Sequence, residues 1–331
     1  MSRPACRPAL VTVALALVLA GLLAAALTLG DVPVTGQQVL GALTGQETGL
    51  VRTVVVQWRL PQAVAAIAIG AALACSGAIF QTLTRNPLGS PDVIGFSTGA
   101  YSGALVALLL LGGGYAALTT GAVVGGLATA GCVTALATRG GLDGFRLVLV
   151  GIAISALLTA VNSYLLLTAQ VEVARAASVW GIGSLNGLRW PQAGPTVVGV
   201  LVALAAVLPL TRSMNQLELG ETLAIGTGVP LARTRWAMVA GGVTLVALGT
   251  AVTGPIAFIA LAAPQIARRL TGAGRTAPAT LLLTGAVLLL GSDLVATHAV
   301  PGIQLPVGVL TVCVGGVYLV WLLAVETRRR A

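Results

Sequence analysis

Apolar runs long enough to cross a bilayer recur along the whole chain, divided by short polar stretches rich in arginine, glycine and proline. A spanning helix needs about 20 apolar residues. The pattern predicts ten such helices, at 9–29, 61–83, 93–112, 115–137, 146–168, 194–211, 235–252, 255–271, 278–297 and 306–325. The third is short, and Pro264 interrupts the eighth. The first run, Ala9 to Leu29, exceeds the apolar core of a secretory signal and reads as a retained helix. Three connections are longer than tight turns, at about 30–58, 170–193 and 213–234. The fold class expected is all-α, one polytopic membrane domain over 1–331.

Charge orients these helices. Loops on the cytoplasmic side retain arginine and lysine. With both termini inside, the inner set is Arg3, Arg7, Arg85, Arg139, Arg146, Arg212, Arg233, Arg235, Arg268, Arg269, Arg275 and Arg328 to Arg330. Only Arg52, Arg59, Arg175 and Arg189 fall outside. The opposite orientation would reverse this bias, so the even helix count and the charge agree. The 213–234 connection then lies inside, and 30–58 and 170–193 lie outside.

Composition narrows the function classes. Of 331 residues, 57% are hydrophobic and 8% charged, against about 25% charged in soluble domains. Lipid must cover much of the exterior. The net charge of +9 comes from arginines scattered singly between apolar runs, which form no nucleic-acid patch. Cys6, Cys75, Cys132 and Cys313 share no metal-ligand spacing. His298 is the single histidine and lysine is absent. A histidine metal cluster and a phosphate loop ending in lysine are therefore ruled out, and no Ser-His-Asp set is expected. No catalytic residue, metal site or cofactor of its own is expected, and nucleotide hydrolysis must come from another polypeptide.

Ionisable groups at membrane depth are expensive, and Asp293 in the ninth helix is the clearest. It fits a polar partner within the bundle or pathway, or a packing bond to a neighbouring helix. In the fifth helix Ser155, Thr159, Asn162 and Ser163 recur at helical spacing. They could line a pathway or bond neighbouring helices. The inner 213–234 connection alternates Met214, Leu217 and Leu219 with acids. It has room for two short helices broken at Gly226 to Gly228, and suits a docking surface.

The chain resembles the permease subunits of ABC importers for ferric siderophores, haem and cobalamin, the FecCD-type family. The stretch Arg59-Leu60-Pro61-Gln62 leads to Arg85-Asn86-Pro87-Leu88 and Pro91-Asp92. Leu219-Gly220-Glu221 follows with Ala224 and Gly228. Gly254-Pro255-Ile256-Ala257-Phe258 leads to Pro264-Gln265-Ile266-Ala267-Arg268, and Asp293-Leu294 leads to Leu305-Pro306-Val307-Gly308. The segment Gly183 to Gly187 with Trp190 resembles the siderophore branch. The resemblance implies a type II importer permease in the cytoplasmic membrane, paired with a second permease, identical or paralogous. Two ATPase subunits, carrying ATP and magnesium, would dock below it and an extracytoplasmic binding protein above. It implies that the Glu221 loop enters the ATPase cleft, and that outer arginines, Arg59 first and then Arg52 and Arg189, meet acids of the binding protein.

Several positions depart from the family pattern. The family usually has Arg at Gln62, His at Gln265, Glu at Gln304 and often Arg at Thr297, while Ile225 and Thr227 alter the coupling loop. Docking charge outside is thinned accordingly. The function expected is passage of a ferric siderophore in an ATP-driven complex. The same complex carrying haem or cobalamin is the first alternative, and an ion-coupled secondary transporter the second. The secondary transporter would need acids or histidine near the midplane.

Overall fold

Each predicted span is met by a helix in the computed structural model, which describes residues 6–111, 115–137, 144–272, 277–300 and 302–330. Arg3, Arg139 and Arg275 of the inner set lie outside them. The membrane-scale helices are α1 (Cys6–Thr28), α4 (Leu60–Thr84), α5 (Phe96–Leu111), α6 (Tyr115–Ala137), α7 (Gly144–Thr168), α9 (Trp190–Val207), α12 (Leu231–Thr253), α13 (Ile259–Thr271), α14 (Pro278–His298) and α15 (Val307–Arg330). Five short helices join them: α2 (Gly36–Thr44), α3 (Gly49–Arg52), α8 (Val171–Ile182), α10 (Thr211–Glu218) and α11 (Glu221–Gly226). A π-helical stretch, Thr53–Arg59, links α3 to α4. The unbroken helix Gly49–Thr84 has 36 residues, about 50 Å at 1.5 Å per residue, so it projects well beyond the hydrocarbon.

α4 is the hub and is buried along most of its length. It packs on α14, α12, α13 and α9. Two glycines permit this. A Cβ at Gly70 would strike the Gly285 carbonyl of α14, and one at Gly285 would strike the Gly70 carbonyl in return. A Cβ at Gly77 would strike the Ala260 carbonyl of α13. Lipid tails remove the hydrophobic drive between helices, so close backbone approach has to hold them.

The eighth span differs from its sequence-based expectation. Helix α13 starts at Ile259, not at 255, and it runs through Pro264 without breaking. The break lies earlier, in the non-helical segment Gly254 to Phe258. Pro264 deprives only the Ala260 carbonyl of its intrahelical donor; that carbonyl lies against Gly77 of α4, and Gln81 Nε2 ties down the next one, donating to the Leu261 carbonyl at 3.0 Å. The extended segment is held by its neighbours. The Ser184 N–H donates to the Thr253 carbonyl at 2.7 Å, and the Gly308 N–H to the Gly183 carbonyl at 3.0 Å. Phe258 caps α13 in the left-handed region, φ 69°.

Termini and inner helices share one end of the bundle. Arg7 Nε donates to the Leu270 carbonyl at the end of α13, and Arg268 pairs with Glu218 of α10. α15 begins beside Gly183, passes Phe258 at Gly315, and brings Tyr318 within the field of Arg269. It therefore runs toward the same end as α10 and α11.

Candidate coupling and docking sites

The inner end is built around two glutamates. α4 stops at Arg85, which takes a left-handed conformation (φ 50°). The Asn86 side chain then accepts from the Leu88 N–H at 2.9 Å and fixes the turn. This geometry turns the Arg85 guanidinium toward Glu221, 2.8 Å away, while Arg235 of α12 reaches the same oxygen at 2.6 Å. Glu221 opens α11, where a carboxylate also suits the positive helix end. A second clamp lies beside it: Glu218 accepts from Arg268 at 2.9 Å and from Thr82 at 3.2 Å. Exposed ion pairs of this kind contribute little stability, about 0–1 kcal/mol. Their effect here is geometric, fixing α10 and α11 to the ends of α4, α12 and α13.

The two inner helices break at Leu219 and Gly220, not at Gly226 to Gly228. Gly220 has φ 116° and ψ 151°, a region essentially reserved for glycine. The Gly226 to Gly228 stretch instead ends α11. Met214, Leu217, Ala224 and Val229 turn into the core, and Leu219, Leu223 and Ile225 are exposed. An apolar patch thus stands on the inner surface, anchored from behind by charge.

The loop after α4 is tied to α13. Gln265 Nε2 donates to Gln81 Oε1 at 2.7 Å. Pro91 is buried, and Asp92 accepts from Ser97 Oγ at 2.5 Å and from the Phe258 N–H. Burial nevertheless pushes the Asp92 carboxyl up to about 6. Pro306 and Gly308 lie at the start of α15, where Gly308 approaches the Ile182 carbonyl too closely for any side chain.

The polar residues of α7 separate. Asn162 is buried and Ser155 half-buried, whereas Thr159 and Ser163 are exposed and bond back to the carbonyls of Ser155 and Thr159. Ser155 packs on Gly95 of the loop after α4.

At the outer end Arg59 faces inward. It donates to the carbonyls of Leu27 and Thr28 at 2.9 and 3.1 Å and to that of Val32, capping the C-terminus of α1. Arg52 and Arg189 are exposed, and Arg189 lies 4.7 Å over the Trp58 ring. Trp190 Nε1 donates to the Val56 carbonyl of the π stretch. Asp293 is buried and accepts from Gln62 Nε2 at 2.9 Å. Arg235 was noted only as one of the inner arginines, and Thr82 and Gln81 were given no site role by the sequence. Arg235 sits 14 residues from Glu221, across a helix break that no periodicity spans.

The architecture is a helical bundle with several membrane-length helices and an exposed apolar patch at one end, and the family match makes it a transport permease. The chain belongs to the FecCD transport family, whose pattern matches residues 16–325. It is 48% identical over 301 residues to the ferric enterobactin transport system permease protein FepG of Escherichia coli, covering 91% of each chain. It is 34% identical to the ferric enterobactin transport system permease protein FepD of the same organism, over 92% of each. A solved transporter assigned to the metal-chelate ABC type, in an inward-facing conformation, superposes with a TM-score of 0.84 at 27% identity, over 95% of this chain and 98% of the other.

Proposed function

We propose that this chain is the passive pathway subunit of an ATP-driven importer that carries a ferric siderophore across the cytoplasmic membrane. The observation that carries this is the 48% identity to a ferric enterobactin permease along nine-tenths of both chains. The inner end becomes cytoplasmic, as the arginine bias requires, and both termini lie there. An ATPase pair docks on Leu219, Leu223 and Ile225, and a second permease, identical or paralogous, completes the pathway. Thr159 and Ser163 on the exposed face of α7 are offered to that pathway. An extracytoplasmic binding protein meets Arg52 and Arg189. ATP and magnesium are held by the ATPase partner.

In this reading Glu221 works as a strap. ATPase closure displaces α10 and α11, and the Glu221 bridge passes the displacement to α4 and α12. A ligand shifts such an equilibrium only through contacts that differ between the two states, and this bridge is the candidate contact. Glu221→Arg sets three cations together and is expected to reduce uptake at least about tenfold with membrane insertion intact. Uptake of radiolabelled ferric siderophores in a deletion strain, with haem and cobalamin as controls, measures both cargo and coupling. Uptake at the unmodified level in the variant removes the strap, and accumulation of haem or cobalamin alone replaces the cargo.

A further inference from the structure

A cavity of about 300 Å³ opens at the outer end, between the C-terminus of α1, the π stretch, the turn at Gly187 to Arg189 and the end of α14. Its walls are mixed: Ala26, Leu29, Val54 and Leu188 supply an apolar side, and polar and charged side chains supply the rest. Asp293 lines it and is only 5% exposed. One carboxylate oxygen takes the Gln62 amide. The other is buried with no hydrogen-bond partner. Leaving a buried carboxylate oxygen without a donor is costly, so the position calls for a donor from outside the chain.

The charged and titratable groups around the cavity are Asp31, Arg59, Arg189, Asp293 and His298. Neither arginine serves Asp293. Arg59 is spent on three carbonyls of α1 and its following turn and lies in the field of Asp31, and Arg189 covers Trp58. His298 Nδ1 is engaged with Thr297 and the Leu294 carbonyl. The hydrogen-bond partner of Asp293 is therefore a neutral amide, and His298 acts on it only through its field. A divalent metal fits poorly. Calcium wants six to eight oxygens and magnesium an octahedron, while this cavity offers one free oxygen of Asp293 and the exposed carboxylate of Asp31, and the described residues hold no cluster of three metal-binding side chains. A lysine or arginine side chain fits better, its alkyl stem along the apolar wall and its cationic head on the carboxylate.

We propose that this cavity is a socket for a basic side chain of the extracytoplasmic binding protein, with Asp293 as its counter-ion. The socket adds a second charge to the docking face, opposite in sign to the Arg52 and Arg189 rim, and so fixes the orientation of the docked partner. It rests on the importer reading given above.

The test uses the assembled permease with Cys6, Cys132 and Cys313 replaced by serine and Gln304→Cys added on the cavity wall. Its reaction rates with a cationic and an anionic methanethiosulfonate are compared after normalisation to Gln57→Cys, an exposed outer position. The cationic reagent is expected to be favoured about tenfold. Asp293→Asn should remove that preference, and Gln62→Arg should remove it with Asp293 in place, which covers the case in which the first variant fails to fold. With the purified binding protein, one of its lysines or arginines should lose about tenfold in affinity when replaced by glutamine, and lose nothing further in Asp293→Asn. Equal rates for the two reagents, a preference that survives both variants, or a partner with no basic residue coupled to Asp293 overturns the socket. The labelling rates do not depend on cargo, so a charge preference beside absent siderophore uptake upholds the socket and removes only the cargo assignment.

Discussion

Asp92 joins three parts of the chain with one carboxyl: its own loop, Ser97 at the start of α5 and the N–H of Phe258 that opens α13. Its second oxygen is buried without a partner. Burial raises the group to about 6 from the ordinary 3.8, and the two hydrogen bonds only partly oppose this. The folded chain therefore holds this proton more tightly than the unfolded chain. The contribution is complete below the ordinary value and is lost as pH rises through about 6. A gap of this size corresponds to stability on the order of 3 kcal/mol. Asp92→Asn keeps an acceptor for Ser97 and Phe258 and cannot ionise. The stability difference between the variant and the native chain should thus grow in the variant's favour between pH 5 and pH 8, measured by thermal unfolding in nanodiscs. A difference that stays flat with pH would show that Asp92 titrates normally. Subtracting the two proteins cancels the pH dependence that the rest of the chain contributes to both.

At the scale of elements, the two inner helices depend on one backbone angle. Gly220 at φ 116° lets α10 and α11 turn back so that Glu218 and Glu221 face different anchors. Gly220→Ala has open space for its methyl group, so its penalty is purely conformational, about 1–3 kcal/mol. It is expected to lower uptake several-fold while bilayer insertion and protein level stay unchanged; equal uptake would mean that the turn is not needed. This residue also marks what the sequence could and could not reveal. The membrane-crossing helices were legible because bilayer thickness fixes their length and the absence of water demands closed backbone hydrogen bonding; the described residues hold seven that are long and apolar enough to cross. The 213–234 segment was legible as two short helices, but their break was assigned to the glycine-rich Gly226 to Gly228 stretch, because composition cannot say which glycine takes a positive φ. The outer α2, α3 and α8 were hidden in connections too polar for a span and too short for a clear period. The shortened α13 was hidden for another reason. Pro264 is the strongest local helix-breaker there, yet Gln81 and Gly77, nearly two hundred positions away in sequence, brace the turn before it. The partners of Glu218 and Glu221 were invisible for the same reason of distance, although each acid and each arginine was noted singly.

On the scale of the whole molecule, α4 and its outer extension run continuously through the bundle over 36 residues. Its outer extension holds Arg59 and the cavity, its middle crosses α14 and α13, and its inner end meets Glu221. Such a rod transmits movement only if its crossings are tight, and in lipid that tightness comes from backbone contact. The Gly70–Gly285 crossing is reciprocal, each residue lying against the other's carbonyl, so neither helix can yield without losing the contact. Gly70→Leu should force α4 and α14 apart and destabilise the fold by about 1–3 kcal/mol or more, the range for overpacked cores. Gly131→Leu on α6, which has nothing within 4 Å of its Cβ position, is the matched control for helix propensity and bulk. Thermal unfolding in nanodiscs should separate the two, with a clear drop in midpoint for Gly70→Leu and none for Gly131→Leu. Because the crossing lies between the outer cavity and the inner strap, Gly70→Leu protein rescued at low temperature should still bind the ATPase pair but couple poorly to uptake. Equal midpoints for the two variants would mean that α4 and α14 have slack at this crossing, and a rod with slack could not link events at the two membrane faces.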